Sequence, residues 1–153
     1  MKLSEIIVKK ALVPELRATS RDEAIKELVK RLAETRAIDK NAEAEIAKAI
    51  IERENNATTG IGKGVALPHV SLKNIKKLVA TIGLSSKGID FKSLDNQPVH
   101  AVVLLVSCKE KPDEHLHAME TIFSAIQEER FRKFLFQAKS TEALVDLVAE
   151  TST

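Results

Sequence analysis

Val102-Val103-Leu104-Leu105-Val106 is the segment that most constrains how this chain folds. Five successive aliphatic residues leave no polar face, so a strand here must be covered on both sides. The elements around it supply the covers. Ser20-Arg21-Asp22-Glu23 is a capping-box sequence, and Ala24, Ile25, Leu28, Val29 and Leu32 follow at helical spacing. A second helix is expected from about Asn41 to Arg53, with Ala42, Ile46, Ala49 and Ile50 inward and Asn55 and Asn56 ending it. From Pro112, a residue suited to a first helical position, the period is helical again, with Leu116, Met119, Phe123 and Ile126 facing the core.

The remaining segments fit between these. Leu3, Ile6 and Ile7 form a short amphipathic piece, and Ala11-Leu12-Val13 reads as an edge strand stopped by Pro14. Leu78 to Leu84 reads as a half-buried strand in which Gly83 marks a bulge or a close approach. Gly88 to Gln97 is rich in turn residues, and Pro98 opens the doubly covered strand. A Phe-rich segment, Phe131 to Phe136, precedes a last helix after Ser140 that carries Leu144, Leu147 and Val148. Helices, strands and more helices around one apolar strand predict a three-layer α/β/α fold, a central mixed β-sheet flanked by helices, in one domain spanning 1–153.

Composition narrows the function. Charged residues make up 30% of the chain, apolar ones 44%, and the net charge is +2 with both signs mixed, so no basic footprint for nucleic acid exists. The five aromatics are all Phe, which gives few anchors for a permanent interface and fits transient partners. The run from Val99 to Val106 is too short to span a bilayer, no charged-then-apolar leader opens the chain, and one cysteine, Cys108, excludes an internal disulfide framework. A cytoplasmic protein without membrane insertion is expected.

The chemistry concentrates in Thr58-Thr59-Gly60-Ile61-Gly62-Lys63-Gly64-Val65-Ala66-Leu67-Pro68-His69. Glycines at 60, 62 and 64 would let backbone N–H groups converge on an anion, and Pro68 restricts how His69 is presented. The spacing is one residue short of the dinucleotide fingerprint and leads into a strand-like run instead of a helix. Nor is it a nucleotide-binding phosphate loop, because Ala57 stands where the first glycine belongs and Gly64 where a Ser or Thr would bind Mg²⁺. What remains is a phosphate-friendly loop beside a constrained imidazole, the arrangement that histidine phosphorylation needs. Neutral imidazole is nucleophilic near neutral pH without a strong base.

Arg53-Glu54, Thr58-Thr59-Gly60-Ile61-Gly62, Ala66-x-Pro68-His69 and His115-Leu116 resemble the enzyme IIA domain of the bacterial phosphotransferase system, in its fructose/mannitol class. Leu94-Asp95-Asn96-Gln97-Pro98-Val99 and His115-Leu116-His117 lean toward the nitrogen-related regulatory branch. Val70 stands where the family usually has a small residue after its active histidine. The resemblance implies a phosphotransferase that takes a phosphoryl group from a phosphorylated HPr-type carrier onto His69. The group then passes to a IIB domain, or the phosphorylation state serves as a signal. With no IIB or IIC segment in the sequence, a purely regulatory module switched by His69 phosphorylation is the competing expectation.

Each accompanying residue carries two readings. If a helix runs on from Pro112, at about 100° per residue His115 lies at the edge of the apolar face while His117 projects to solvent. His115 is then either a hydrogen-bond donor to the phosphoryl group, as the resemblance implies, or a core-edge histidine bonded to a carbonyl. Arg53 shares the face of Ile46 and Ile50, and either completes the helix C-terminus or reaches phosphate. Thr58, Thr59 and Gly60 supply phosphate- or partner-binding donors, or only a turn. His115-x-His117 does not place both rings on one helical face, so no metal is expected, and no other cofactor is called for. His100, in a strand run, is expected to be structural, and Cys108 to be an inert thiol.

Overall fold

Strand β5 (Val99–Cys108) is the axis of the computed structural model, which describes residues 1–151. The sheet's other strands are β1 (Gly60–Gly62), which pairs with β2 (Val65–Ala66), and β3 (His69–Leu72) and β4 (Val79–Ile89), which like β2 pair with β5. Along one edge β5 runs parallel to β2 and β3; along the other it runs antiparallel to β4. Val65, Ala66 and His69 stand opposite Ala101, Val102 and Leu105, so β2 and β3 keep one register and are two halves of one strand. Pro68, which has no N–H to give, separates them, although its carbonyl still accepts from the Leu105 N–H at 3.0 Å. The sheet is mixed, as expected.

Period-two alternation along β5 divides the core. Ala101, Val103 and Leu105 pack with α1 (Leu3–Ile6), α4 (Pro112–Gln127), α5 (Glu129–Gln137) and α6 (Thr141–Thr151). Val102, Leu104 and Val106 pack on the opposite face with α2 (Arg21–Glu34) and α3 (Glu43–Asn56). The three-layer α/β/α architecture follows. Among the described residues no helix is long and apolar enough to cross a membrane.

Several local expectations hold, and four are shifted. The Ser20 hydroxyl caps α2 by accepting from the Glu23 N–H, and Ala24, Ile25, Leu28, Val29 and Leu32 are all fully buried. Gly83 is a close approach: a Cβ there would lie 2.8 Å from Leu16 and 2.9 Å from Leu28. The expected edge strand at 11–13 is reduced to bridges, Ile7 to Ala80 and Val13 to Gly83, because residues Lys9–Ala11 curl into a 3₁₀ turn. Residues 79–85 are buried on both faces of β4, not half-buried, since both helical layers reach over that strand. In α3, Ala47 is buried and Ala49 only partly so, and the helix continues through Asn55 and Asn56. In α4 the buried stripe is Ala118, Ile122, Ala125 and Ile126; Met119 and Phe123 are partly covered, and Leu116 is 55% exposed.

The glycine stretch is a β-hairpin. Lys63 (φ 60°) and Gly64 (φ 78°) are consecutive left-handed residues joining β1 to β2, the backbone signature of a tight two-residue hairpin loop.

Candidate functional site

The alternation that builds the core also assembles the site. Val65 and Leu67 point into the α4 layer, and His69 and Ser71 continue that face, whereas Val70 and Leu72 pack on the α3 side. On β5, Ser107 follows Val103 and Leu105 on the same side and stands opposite Ser71. His115, in the first turns of α4, completes the group. Its ring centre lies 5.7 Å from that of His69, with the planes tilted by 42°. His117 is exposed, as the helical geometry requires.

The hydrogen bonds fix what each imidazole can do. His69 Nδ1 lies 2.7 Å from the Leu67 carbonyl oxygen, which can only accept, so Nδ1 carries the proton and Nε2 keeps its lone pair. Burial draws the imidazolium pKa of His69 below its ordinary value; the Leu67 carbonyl opposes this, and the Arg53 guanidinium adds to the lowering. His115 Nδ1 lies 2.6 Å from the Ser107 hydroxyl and 3.5 Å from that of Ser71, and the two hydroxyls are 2.7 Å apart. The Ser107 proton has three acceptors in reach: this nitrogen at 2.6 Å, the Ser71 hydroxyl at 2.7 Å and the Val70 carbonyl at 3.4 Å. In the arrangement that uses the shortest bond, Ser107 donates to Nδ1 and Ser71 donates to Ser107, which leaves His115 with an Nε2–H to donate. Burial lowers the His115 pKa as well, with a further contribution from His69. The arrangement therefore presents one neutral nucleophilic nitrogen beside one neutral donor.

Arg53 stands at the end of α3, where Nη1 donates to the Ala57 carbonyl at 2.9 Å. Both readings of this residue meet here, since it closes the helix end and its charge is felt at His69. The lead-in residues face elsewhere. The Thr58 hydroxyl donates to the Phe91 carbonyl at 2.5 Å and accepts from the Gly60 N–H at 3.0 Å. The Thr59 N–H and hydroxyl both go to Glu54, at 2.6 and 2.8 Å, and the Lys63 N–H goes to Asp95. Gly60 is needed for packing, because a Cβ there would come within 2.3 Å of Ser93 Oγ. The donors of Thr58, Thr59, Gly60 and Lys63 are thus spent within the fold.

The chain matches the family model described as phosphoenolpyruvate-dependent sugar phosphotransferase system, EIIA 2, over residues 5–151. The protein belongs to this family. Among its relatives, the fructose-specific EIIABC component of Bacillus subtilis is 30% identical over 97% of this chain, which spans 23% of that longer protein. A nitrogen regulatory protein of Bradyrhizobium diazoefficiens is 29% identical over 97% of this chain and 95% of its own length. Of the solved structures, the nitrogen regulatory protein IIA-Ntr of Neisseria meningitidis superposes with a TM-score of 0.85 at 20% identity, covering 95% of this chain and 98% of the other. The mannitol enzyme IIA of Escherichia coli, solved in complex with its phosphorylated enzyme IIB, superposes with a TM-score of 0.74 at 18% identity, covering 92% and 95%.

Within this enzyme IIA domain, three residues were given no role from the sequence: Ser71, Ser107 and Glu54, the last quoted only as part of the Arg53-Glu54 pair. Ser71 and Ser107 come together only through the parallel pairing of β3 with β5, and nothing local in either segment signals it. Glu54 was legible: it lies four residues after Ile50 on the inner stripe of α3 and is 2% exposed, an anomalous place for a carboxylate. His100 and Cys108 stay structural, His100 Nδ1 donating to the Ser85 carbonyl at 2.8 Å and the Cys108 thiol to that of Ile75 at 2.5 Å.

Proposed function

We propose that this enzyme IIA domain accepts a phosphoryl group on Nε2 of His69 from a phosphorylated HPr-type carrier. It then passes the group to a IIB domain. The observation that carries the proposal is the Nδ1 bond to Leu67, which leaves Nε2 unprotonated beside the His115 donor. In transfer, the Nε2 lone pair forms the new N–P bond in line with the departing carrier nitrogen, which keeps the electron pair of the bond that breaks. The positive charge arising on His69 stays on a ring whose Nδ1–H is held by a carbonyl. The transferred group carries about two negative charges, met by the His115 Nε2–H and the Arg53 guanidinium. Exposed Leu116, next to His115, offers a docking partner an apolar rim. Catalysis on this account is positioning and charge stabilisation, within one cytoplasmic IIA-type unit.

A second reading is favoured by the nitrogen regulatory relative: the phosphorylation state of His69 sets affinity for a regulatory target and no sugar moves. Both readings share the acceptor. Incubation with phosphoenolpyruvate, enzyme I and an HPr-type carrier should add one acid-labile phosphate to the protein and none to His69→Ala. Label persisting in that variant would overturn the assignment. Once the acceptor stands, phosphoryl loss on adding a IIB domain separates relay from switch.

A further inference from the structure

We propose that Glu54 and Thr59 are positioning residues for His69, acting through Leu67 on the tautomer and orientation of the imidazole; the inference rests on His69 being the phosphoacceptor. Glu54 is the one charged residue buried among the described residues. Its two carboxylate oxygens are taken by a single partner: Oε2 accepts the Thr59 N–H at 2.6 Å, and Oε1 accepts the Thr59 hydroxyl at 2.8 Å. With its proton committed to Glu54, the Thr59 hydroxyl presents a lone pair to the Leu67 N–H at 3.2 Å. The Leu67 carbonyl then takes the His69 Nδ1–H at 2.7 Å. Four residues from α3, β1's lead-in and the β2–β3 junction thus form one directional series that ends at the reacting ring.

The series has a job that bulk packing does not do. Leu67 and Pro68 lie at the break between β2 and β3, and Pro68 has no N–H to hold this turn. The Thr59 carbonyl also reaches the Leu67 N–H, but at 3.4 Å. The hydroxyl is the closer acceptor, and it is oriented because Glu54 takes its hydrogen. A carboxylate buried without a cationic partner is costly unless it is fully hydrogen-bonded. Here both strong bonds go to the residue that aims Leu67. Removing the Thr59 hydroxyl loosens the Ala66–Leu67 peptide whose N–H it holds; the Leu67 carbonyl, on the far side of the same Cα, then shifts, the Nδ1 bond weakens and the proton exchanges to Nε2, which removes the nucleophile.

The test uses Thr59→Val, Thr59→Ser and Glu54→Gln in the full chain. The tautomer of neutral His69 is read from ¹⁵N shifts in protein labelled at histidine, which needs no phosphoryl donor. The wild type and Thr59→Ser should hold Nδ1–H, whereas Thr59→Val and Glu54→Gln should show a mixed population. Single-turnover phosphorylation from the HPr-type carrier should slow about ten- to a hundredfold in the latter two and recover in Thr59→Ser, the scale of a displaced reacting group. If Thr59→Val does not fold, Glu54→Gln decides, since it keeps the size and shape of the side chain. An unchanged tautomer and rate in a folded variant would overturn the proposal while leaving His69 as acceptor. A wild type that takes no phosphate would sink the acceptor reading, and the tautomer measurement would still judge the positioning series.

Discussion

The imidazoles of His69 and His115 lie 5.7 Å apart, centre to centre, and are held by different elements: His69 by a carbonyl of its own strand break, His115 by a hydroxyl of the central strand. On the proposed function, a phosphoryl group on the His69 Nε2 would have the His115 imidazole as its neighbouring donor. Replacing His115 by Ala should therefore slow phosphorylation of His69 by about a hundredfold, the cost of losing one preorganised donor, with little change in stability. Rapid-quench single-turnover kinetics checks this, and a wild-type rate in His115→Ala would make that histidine structural.

The pH behaviour follows from the directions of the two pKa shifts. Both folded-state values lie below the ordinary 6.5, so each ring stays neutral to lower pH than in an unfolded chain. As pH falls through 6.5 the unfolded chain takes protons first, so stability falls with acidification and is flat above that value. Urea unfolding on either side of pH 6.5 should show this slope, reduced in the His69→Ala, His115→Ala double variant. Phosphorylation of His69 should reverse the shift at His115, because a neighbouring dianion favours the imidazolium.

Arg53 lowers the His69 pKa through its charge, so Arg53→Ala should raise the His69 midpoint in an NMR titration. Arg53→Lys should leave the midpoint near that of the wild type but transfer phosphate more slowly, because an ammonium lacks the planar fork that grips two phosphoryl oxygens. Loss of the partly exposed bond to Ala57 should cost no more than about 1 kcal/mol of stability. A midpoint unmoved in Arg53→Ala would contradict the electrostatic role.

Gly60 tests the reading of the glycine stretch as a hairpin. A methyl group there would meet Ser93 Oγ at 2.3 Å, so Gly60→Ala should destabilise the fold by about 1–3 kcal/mol, as overpacking does. A lowered melting temperature is expected, with phosphorylation retained wherever the variant is folded. Loss of phosphorylation without loss of stability would instead point to an anion-binding loop.

How far the sequence could be read depended on whether the controlling interactions were local. Helix α2 was fully legible, because its cap at Ser20 and its stripe from Ala24 to Leu32 lie within one segment. The double burial of β5 was legible from five consecutive aliphatic residues. The rotation of α4 was not: two helical stripes share Ile126, and the one that packs runs through Ala118, Ile122 and Ala125, which leaves Leu116 outside it. The acceptor of the Thr58 hydroxyl, the Phe91 carbonyl, could not be traced from sequence, because it lies 33 residues away and is brought in by the tertiary fold; those of Thr59 and Gly60, Glu54 and Thr58, are close in the chain. The reactive nitrogen of His69 likewise depends on where the strand break aims the Leu67 carbonyl.

The most direct measurement is the position of phosphorus on the phosphorylated protein, read from ¹⁵N and ³¹P NMR of histidine-labelled material. The account predicts a single N–P bond at Nε2 of His69, with Nδ1 still protonated and bonded to Leu67. Phosphorus on Nδ1 of His69, or on the His115 ring, would contradict it.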